Sequence, residues 1–225
     1  MAITHIGSAV PAGNPTTGFT LTIPAGAGIG HIMLIGVVNR DATVDPTVSD
    51  DGGGPAWQKI LSSNNGTSGA SVWWKRAVLT SGSAILTVAG CTGGCAGGIS
   101  VYEGCTAANP PSENPSSESN ASGDESHAGF TPTANGSLIC LFNFNGTADL
   151  AIASQACADP GGLTERFDKL STGGGGCGCA HASAVQGAAG ATGAITWAQT
   201  DAASMSIVLD LLEAVAEESS SSSSS

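Results

Sequence analysis

"SVWWKRAVLT", Ser71 to Thr80, is the stretch on which the fold turns. It reads as a strand: β-branched and aromatic residues, no helical spacing, and a turn-forming Asn65-Gly66 pair just upstream. Successive side chains of a strand point to opposite faces. Val72, Trp74, Arg76 and Val78 therefore share one face, and Trp73, Lys75, Ala77 and Leu79 the other. The Val72–Trp74–Val78 face is the expected core side, with Arg76 near a sheet margin. Trp73 is expected to face outward beside Lys75. The adjacent tryptophans cannot form one flat platform.

Outward from this stretch, apolar runs recur between Gly, Pro, Asn and Asp. "GFTLTIP" places Phe19, Leu21 and Ile23 on one face, and "HIMLIGVV" is apolar enough to be buried on both sides. "AILTVAG", "GGISVYEG", "GSLICLFNF", "CAHASAV", "GAITWAQ" and "MSIVLDLL" follow. Roughly ten to twelve strands are expected, the pattern of an all-β, two-layer antiparallel β-sandwich, jelly-roll-like. The one short helix candidate is "LLEAVAEE" near the end. A single sandwich domain is expected over 1–216. Residues 105–127, "CTAANPPSENPSSESNASGDESH", read as one long exposed polar loop, and 217–225 as a low-complexity serine tail.

Composition limits function. The 225 residues are 41% hydrophobic, enough for a core, and carry six Lys and Arg against 18 Asp and Glu, a net charge of −12. Phosphate backbones need cations, so nucleic acid is not an expected partner. No run of about 18 apolar residues is present to span a membrane. "MAITHIGSAV" lacks a basic start and an apolar run, so no signal peptide is expected and synthesis in a cytoplasm is. Seven cysteines without an export signal read as reduced thiols by default.

Candidate chemistry is sparse. "CGCAH" puts Cys177, Cys179 and His181 on one strand face, but extended spacing spreads them over about 13 Å, too far for one zinc ion even with Cys91 or Cys95 as a further ligand. They read as small core residues or partners in an opportunistic disulfide. Arg40, Asp41, Asp45, Asp50 and Asp51 cluster without the spacing of a calcium loop. Gly26, Gly28 and Gly30 precede a strand where a dinucleotide site needs a helix, so they form a turn. No nucleophile elbow, zinc-protease or phosphate-loop pattern occurs. The expectations are no enzyme activity, no metal and no cofactor.

In order along the chain stand "GPAWQKI", "SVWWKRAV", "GGISVYEGCTAANP", "SHAGFTPTANGSLICLF", "PGGLTERFD" and "MSIVLDLL". Together, from about Gly54 to Leu212, they resemble a β-sandwich family among the structural (virion) proteins of tailed bacteriophages, of the capsid decoration or minor tail type. The cysteines depart from that pattern, since small residues such as Ser or Ala are expected at those sites. The resemblance implies a virion protein, most directly a capsid decoration or cement protein that binds and stabilises the assembled shell. It implies the major capsid protein or other virion subunits as partners, a homo-oligomer, and location in the virion. Interface candidates are Trp73, Lys75 and Trp57, together with the N-terminal stretch, the 105–127 segment and the serine tail. The alternative is a tail-fibre or lectin-like domain binding host carbohydrate, with Trp57 beside Asp50–Asp51, or Trp197, as the stacking residue.

Overall fold

The computed structural model describes residues 2–78, 84–106, 114–120, 126–146, 152–199 and 203–214. Among them are sixteen strands and one short 3-10 turn, Gly173–Gly175. The first eight strands are β1 (Thr4–Ala9), β2 (Gly18–Thr22), β3 (Ile32–Asn39), β4 (Thr47–Asp50), β5 (Gln58–Asn64), β6 (Gly69–Arg76), β7 (Ile85–Ala89) and β8 (Cys95–Glu103). The second eight are β9 (Ser116–Asn120), β10 (Ser126–His127), β11 (Leu138–Asn145), β12 (Ala153–Cys157), β13 (Thr164–Ser171), β14 (Cys177–Val185), β15 (Ile195–Ala198) and β16 (Ser204–Leu211).

The expected antiparallel sandwich is present, and it is built twice. The first unit has a five-stranded sheet, β1-β8-β3-β6-β5, and a three-stranded sheet, β2-β7-β4. The second has β9-β16-β11-β14-β13 and β10-β15-β12. Adding eight to each strand number of the first unit gives the second. The pairings agree residue for residue: β3 with β6 and β8, and β11 with β14 and β16, each match over eight positions.

The two five-stranded sheets pack face to face. β1 lies against β13, β8 against β13 and β14, β6 against β16, and β5 against β9 and β16, so the units are related by an approximate two-fold through β3 and β11. Between them lies the largest apolar cluster, with Leu34 and Val38 of β3, Val72 and Trp74 of β6, Phe142 and Phe144 of β11, and Ile207 and Leu209 of β16. Gly36 sits where β3 crosses β11. A Cβ there would approach Phe142 Cδ1 to 2.6 Å, so only glycine lets the strands come this close.

A second cluster fills the first unit between its own sheets. Met33, Ile35 and Val37 of β3 meet Phe19 and Leu21 of β2 and Leu86 and Val88 of β7. The "HIMLIGVV" run is thus buried on both sides, and Phe19, Leu21 and Ile23 share a face, as their alternation required. Among the described residues, the corresponding cluster of the second unit is smaller: Phe130, Ile139, Leu141, Ile195 and Val208, flanked by Cys157 and Leu163, with a satellite of Ile152, Ala180 and Trp197.

The 105–127 segment is not one exposed loop. It contains β9, which pairs with β16 from Ser116↔Val208 to Asn120↔Ser204, and β10, whose His127 is fully buried. Backbone pairing at a sheet edge needs no apolar side chains, so a polar Ser-rich stretch can supply such a strand. Residues 107–113 and 121–125 of this segment, and the serine tail, lie outside the described residues. Leu211, the start of the "LLEAVAEE" helix candidate, ends β16 as strand. Among the described residues no helix is long and apolar enough to cross a membrane.

Candidate functional site

The densest polar construction in the first unit stands where β4 ends and β6 runs out. Asp50 closes a turn by accepting the Gly52 N–H on Oδ1 at 2.8 Å. The next residues, Gly53 and Gly54, have φ of 70° and 82°, and a Cβ on Gly54 would strike Val78 at 2.6 Å. This glycine turn folds the chain back and brings Trp57 over Asp50, where its indole N–H donates to Oδ2 at 2.5 Å. From β6, Lys75 Nζ donates to Asp50 Oδ2 at 2.7 Å, to Oδ1 at 3.0 Å and to Gly53 O at 2.6 Å.

Lys75 is 5% exposed and Trp57 7%. Lys75 does lie on the Trp73 face of β6, but that face is roofed by β4 and the glycine turn, so its charge is paired inside the fold. A buried ion pair survives only when its remaining lone pairs and protons are met, and here each has a partner. With its donors and acceptors engaged in this way, the trio serves as a clamp that holds the turn on the sheet rather than as a proton-transfer group.

Around the clamp the surface is concave and largely apolar. A groove of about 300 Å³ is lined by Ile29, Gly30, Pro55, Ala56, Trp74 and Val78, among others. Ile29 at its rim is 71% exposed and Val78 36%. Arg76 crosses its floor, donating to Gly30 O and Thr106 O at 2.7 Å each. A separate polar groove of about 160 Å³ lies between the Ala42–Pro46 turn and the β5–β6 hairpin. Trp73 is half-buried at the flank of the first unit's core, its indole N–H on Ser71 Oγ at 2.8 Å and Lys59 Nζ 5.7 Å from its ring centroid. Of the three interface candidates, Trp73 offers the most surface. Trp74 is core, as the face assignment required.

The carbohydrate reading needs an open aromatic face. Trp57 stacks into the core, and Trp197 is 5% exposed against Ile152 and Ala180. The acidic cluster near Trp57 disperses into separate tasks: Asp41 caps a turn through Thr43, Asp45 pairs with Lys59, and Asp51 accepts the Ile85 N–H. Hydrogen bonds from the Thr43 hydroxyl and N–H hold the Asp41 carboxyl below its usual range.

Sequence reasoning missed the polar relay in the central core. The Tyr102 hydroxyl lies 2.7 Å from His181 Nε2 and 3.2 Å from Ser183 Oγ. His181 Nδ1 is 2.9 Å from Leu141 O, an acceptor only, so Nδ1 carries the proton and Tyr102 donates to Nε2. Arg166 Nε donates to Ser183 Oγ at 2.8 Å. Desolvation pushes the fully buried imidazole down to about 3 and the phenol well above its usual range. Tyr102 comes from the first unit and His181 from the second, so the relay locks the two together. The period-two placement of Cys177, Cys179 and His181 was the available signal, and all three do enter the central interior.

Cys177 and Cys179 are small core residues, and burial raises both thiols, Cys177 to about 12. Cys91 and Cys95 are joined as a disulfide across the turn into β8, the alternative to the reduced-thiol default. Among the described residues no group of three or more His, Cys, Asp or Glu gathers as a metal site.

Comparison with known proteins returns no matching family model, no matching curated protein and no matching solved structure.

Proposed function

We propose that this chain is a non-enzymatic structural protein of a tailed-bacteriophage virion, most directly a capsid decoration protein that binds the assembled shell and stabilises it. The observation that carries the reading is the duplicated sandwich. Two eight-stranded units of one strand order, jelly-roll-like in the winding of β1-β8-β3-β6 opposite β2-β7-β4, share one central core and form a rigid block. Such a block exposes contact surfaces in a fixed relation, which a repeating lattice requires. The resemblance of the stretches between about Gly54 and Leu212 to the phage family supports the same reading.

Binding only to the assembled shell stabilises it by mass action and needs no chemistry. The apolar groove rimmed by Ile29 and Val78 supplies a contact surface, with Trp73, on the opposite face of β6 from Trp74, as a second candidate. A net charge of −12 steers the chain toward basic or mixed surfaces. Many copies on a symmetric lattice imply a symmetric oligomer.

The test is reconstitution. Purified chain is added to shells of the corresponding phage that lack it. Saturable co-sedimentation together with a higher shell melting temperature supports the proposal. No co-sedimentation, or binding without any gain in shell stability, rejects the decoration role.

A further inference from the structure

The duplication makes each position of one unit a control for the other. The matched ladders equate Val37 with Asn143, Ser71 with Ala180, and Gly97 with Ser206. In the first unit the buried polar group of this row is met, because Ser71 Oγ accepts the Trp73 indole N–H at 2.8 Å. Val37 belongs to the cluster between the sheets, and the Phe19 ring covers Gly97, where a Cβ would come within 2.8 Å of Phe19 Cζ.

In the second unit the same row reads Asp168, Ala180, Asn143, Ser206 across β13, β14, β11 and β16. Trp197 of β15 packs on Ala180, and Gln155 of β12 donates through Nε2 to Asn143 Oδ1 at 2.5 Å. Asn143 and Ser206 are fully buried, and Gln155 is 6% exposed. Yet among the described residues Asn143 Nδ2, Ser206 Oγ, Gln155 Oε1, Trp197 Nε1 and Asp168 Oδ1 have no hydrogen-bond partner.

Each buried polar group left unmet costs about 1–3 kcal/mol, so five in one layer would consume much of a domain's net stability. Asn143 Nδ2 and Trp197 Nε1 are donors. Gln155 Oε1 and the Asp168 oxygen are acceptors, and the Ser206 hydroxyl is either. An occupant must therefore donate and accept, and be small enough to lie between packed sheets. A cation fails against the two N–H donors, and an apolar molecule meets none of the five. Water meets both requirements and forms about three such bonds when buried.

We propose that the second unit encloses a hydrated site, in which one or more long-lived internal waters bridge Asn143, Ser206, Gln155 and Trp197 between its sheets, while the equivalent layer of the first unit is dry. The duplicated scaffold then has one apolar and one water-bridged interior.

The test uses the full chain labelled with nitrogen-15. Water-to-protein cross-relaxation is recorded at the four indole N–H groups. A peak of bound-water sign at Trp197, absent at Trp57 and Trp73, is the expected result. Deuterium or oxygen-17 relaxation dispersion then counts long-lived waters, and the double change Asn143→Val with Gln155→Leu lowers that count by at least one. Should that variant fail to fold, the wild-type pattern decides by itself. No bound-water peak at Trp197, or a high-resolution crystal structure in which these five groups bond one another directly, overturns the proposal.

Discussion

Replacing Tyr102 with phenylalanine removes one oxygen from the centre of the molecule and leaves the ring in place. The loss is confined to the hydrogen bonds at 2.7 Å to His181 Nε2 and 3.2 Å to Ser183 Oγ. Because Nδ1 of His181 is committed to Leu141 O, its Nε2 becomes a buried acceptor without a donor. That costs about 1–3 kcal/mol. In a chain of this size it lowers the melting temperature by about 2–4 °C per kcal/mol. Guanidinium unfolding followed by tryptophan fluorescence measures it, since Trp57, Trp73 and Trp74 lie in the first unit and Trp197 in the second. The wild-type chain offers a companion readout, because Tyr102 is its only tyrosine. Burial raises its phenol, so absorbance near 295 nm rises only as the protein unfolds in alkali. A Tyr102→Phe protein as stable as wild type, or a tyrosine that ionises near pH 10 while the fold persists, refutes the relay as a lock between the units.

Three further outcomes are expected. Asp50→Asn leaves Lys75 buried without its counter-charge, and breaking such a pair costs about 3–5 kcal/mol; chemical denaturation that finds a loss under about 1 kcal/mol contradicts the clamp. For pH, His181 holds a pKa of about 3 when folded against an ordinary 6.5, so the unfolded chain binds the extra proton between those values and stability is lost as pH falls through that window. Burial raises Asp168 to about 6, so over about pH 4–6 the native state binds its proton and stability falls as pH rises. The two slopes oppose, and Asp168→Asn steepens the acid loss of stability in urea melts at pH 4–6; a profile unchanged by the substitution removes the Asp168 assignment. Finally, amide exchange in β15 and β12 runs faster than in β7 and β2, because the second unit's own sheets bury the smaller apolar cluster; equal protection argues against this.

Of the sixteen strands among the described residues, nine were legible in the sequence and seven were not. The missed ones, β1, β4, β5, β9, β10, β12 and β13, all lie at sheet edges, whereas eight of the nine legible strands are central. An edge strand is held by backbone bonds on one side and buries little, so "TVSD", with Val48 alone, and "SSESN" leave almost no apolar trace. The duplication was invisible for a related reason. Equivalent positions share geometry without chemistry: Val37 stands where Asn143 stands, and Trp74 where Ser183 stands. At the candidate site, alternation placed Trp74 in the core and Lys75 on the opposite face. It could not show that Asp50, 25 residues upstream, folds over Lys75 and buries it. The Trp57–Asp50 neighbourhood was visible, but its purpose as a clamp follows only from the direction of the indole N–H.

The central claim is tested most directly by copy number. Quantitative mass spectrometry on purified virions compares this chain with the major shell protein. The decoration reading predicts hundreds of copies in simple ratio to that protein. Absence of the chain from the particles contradicts it.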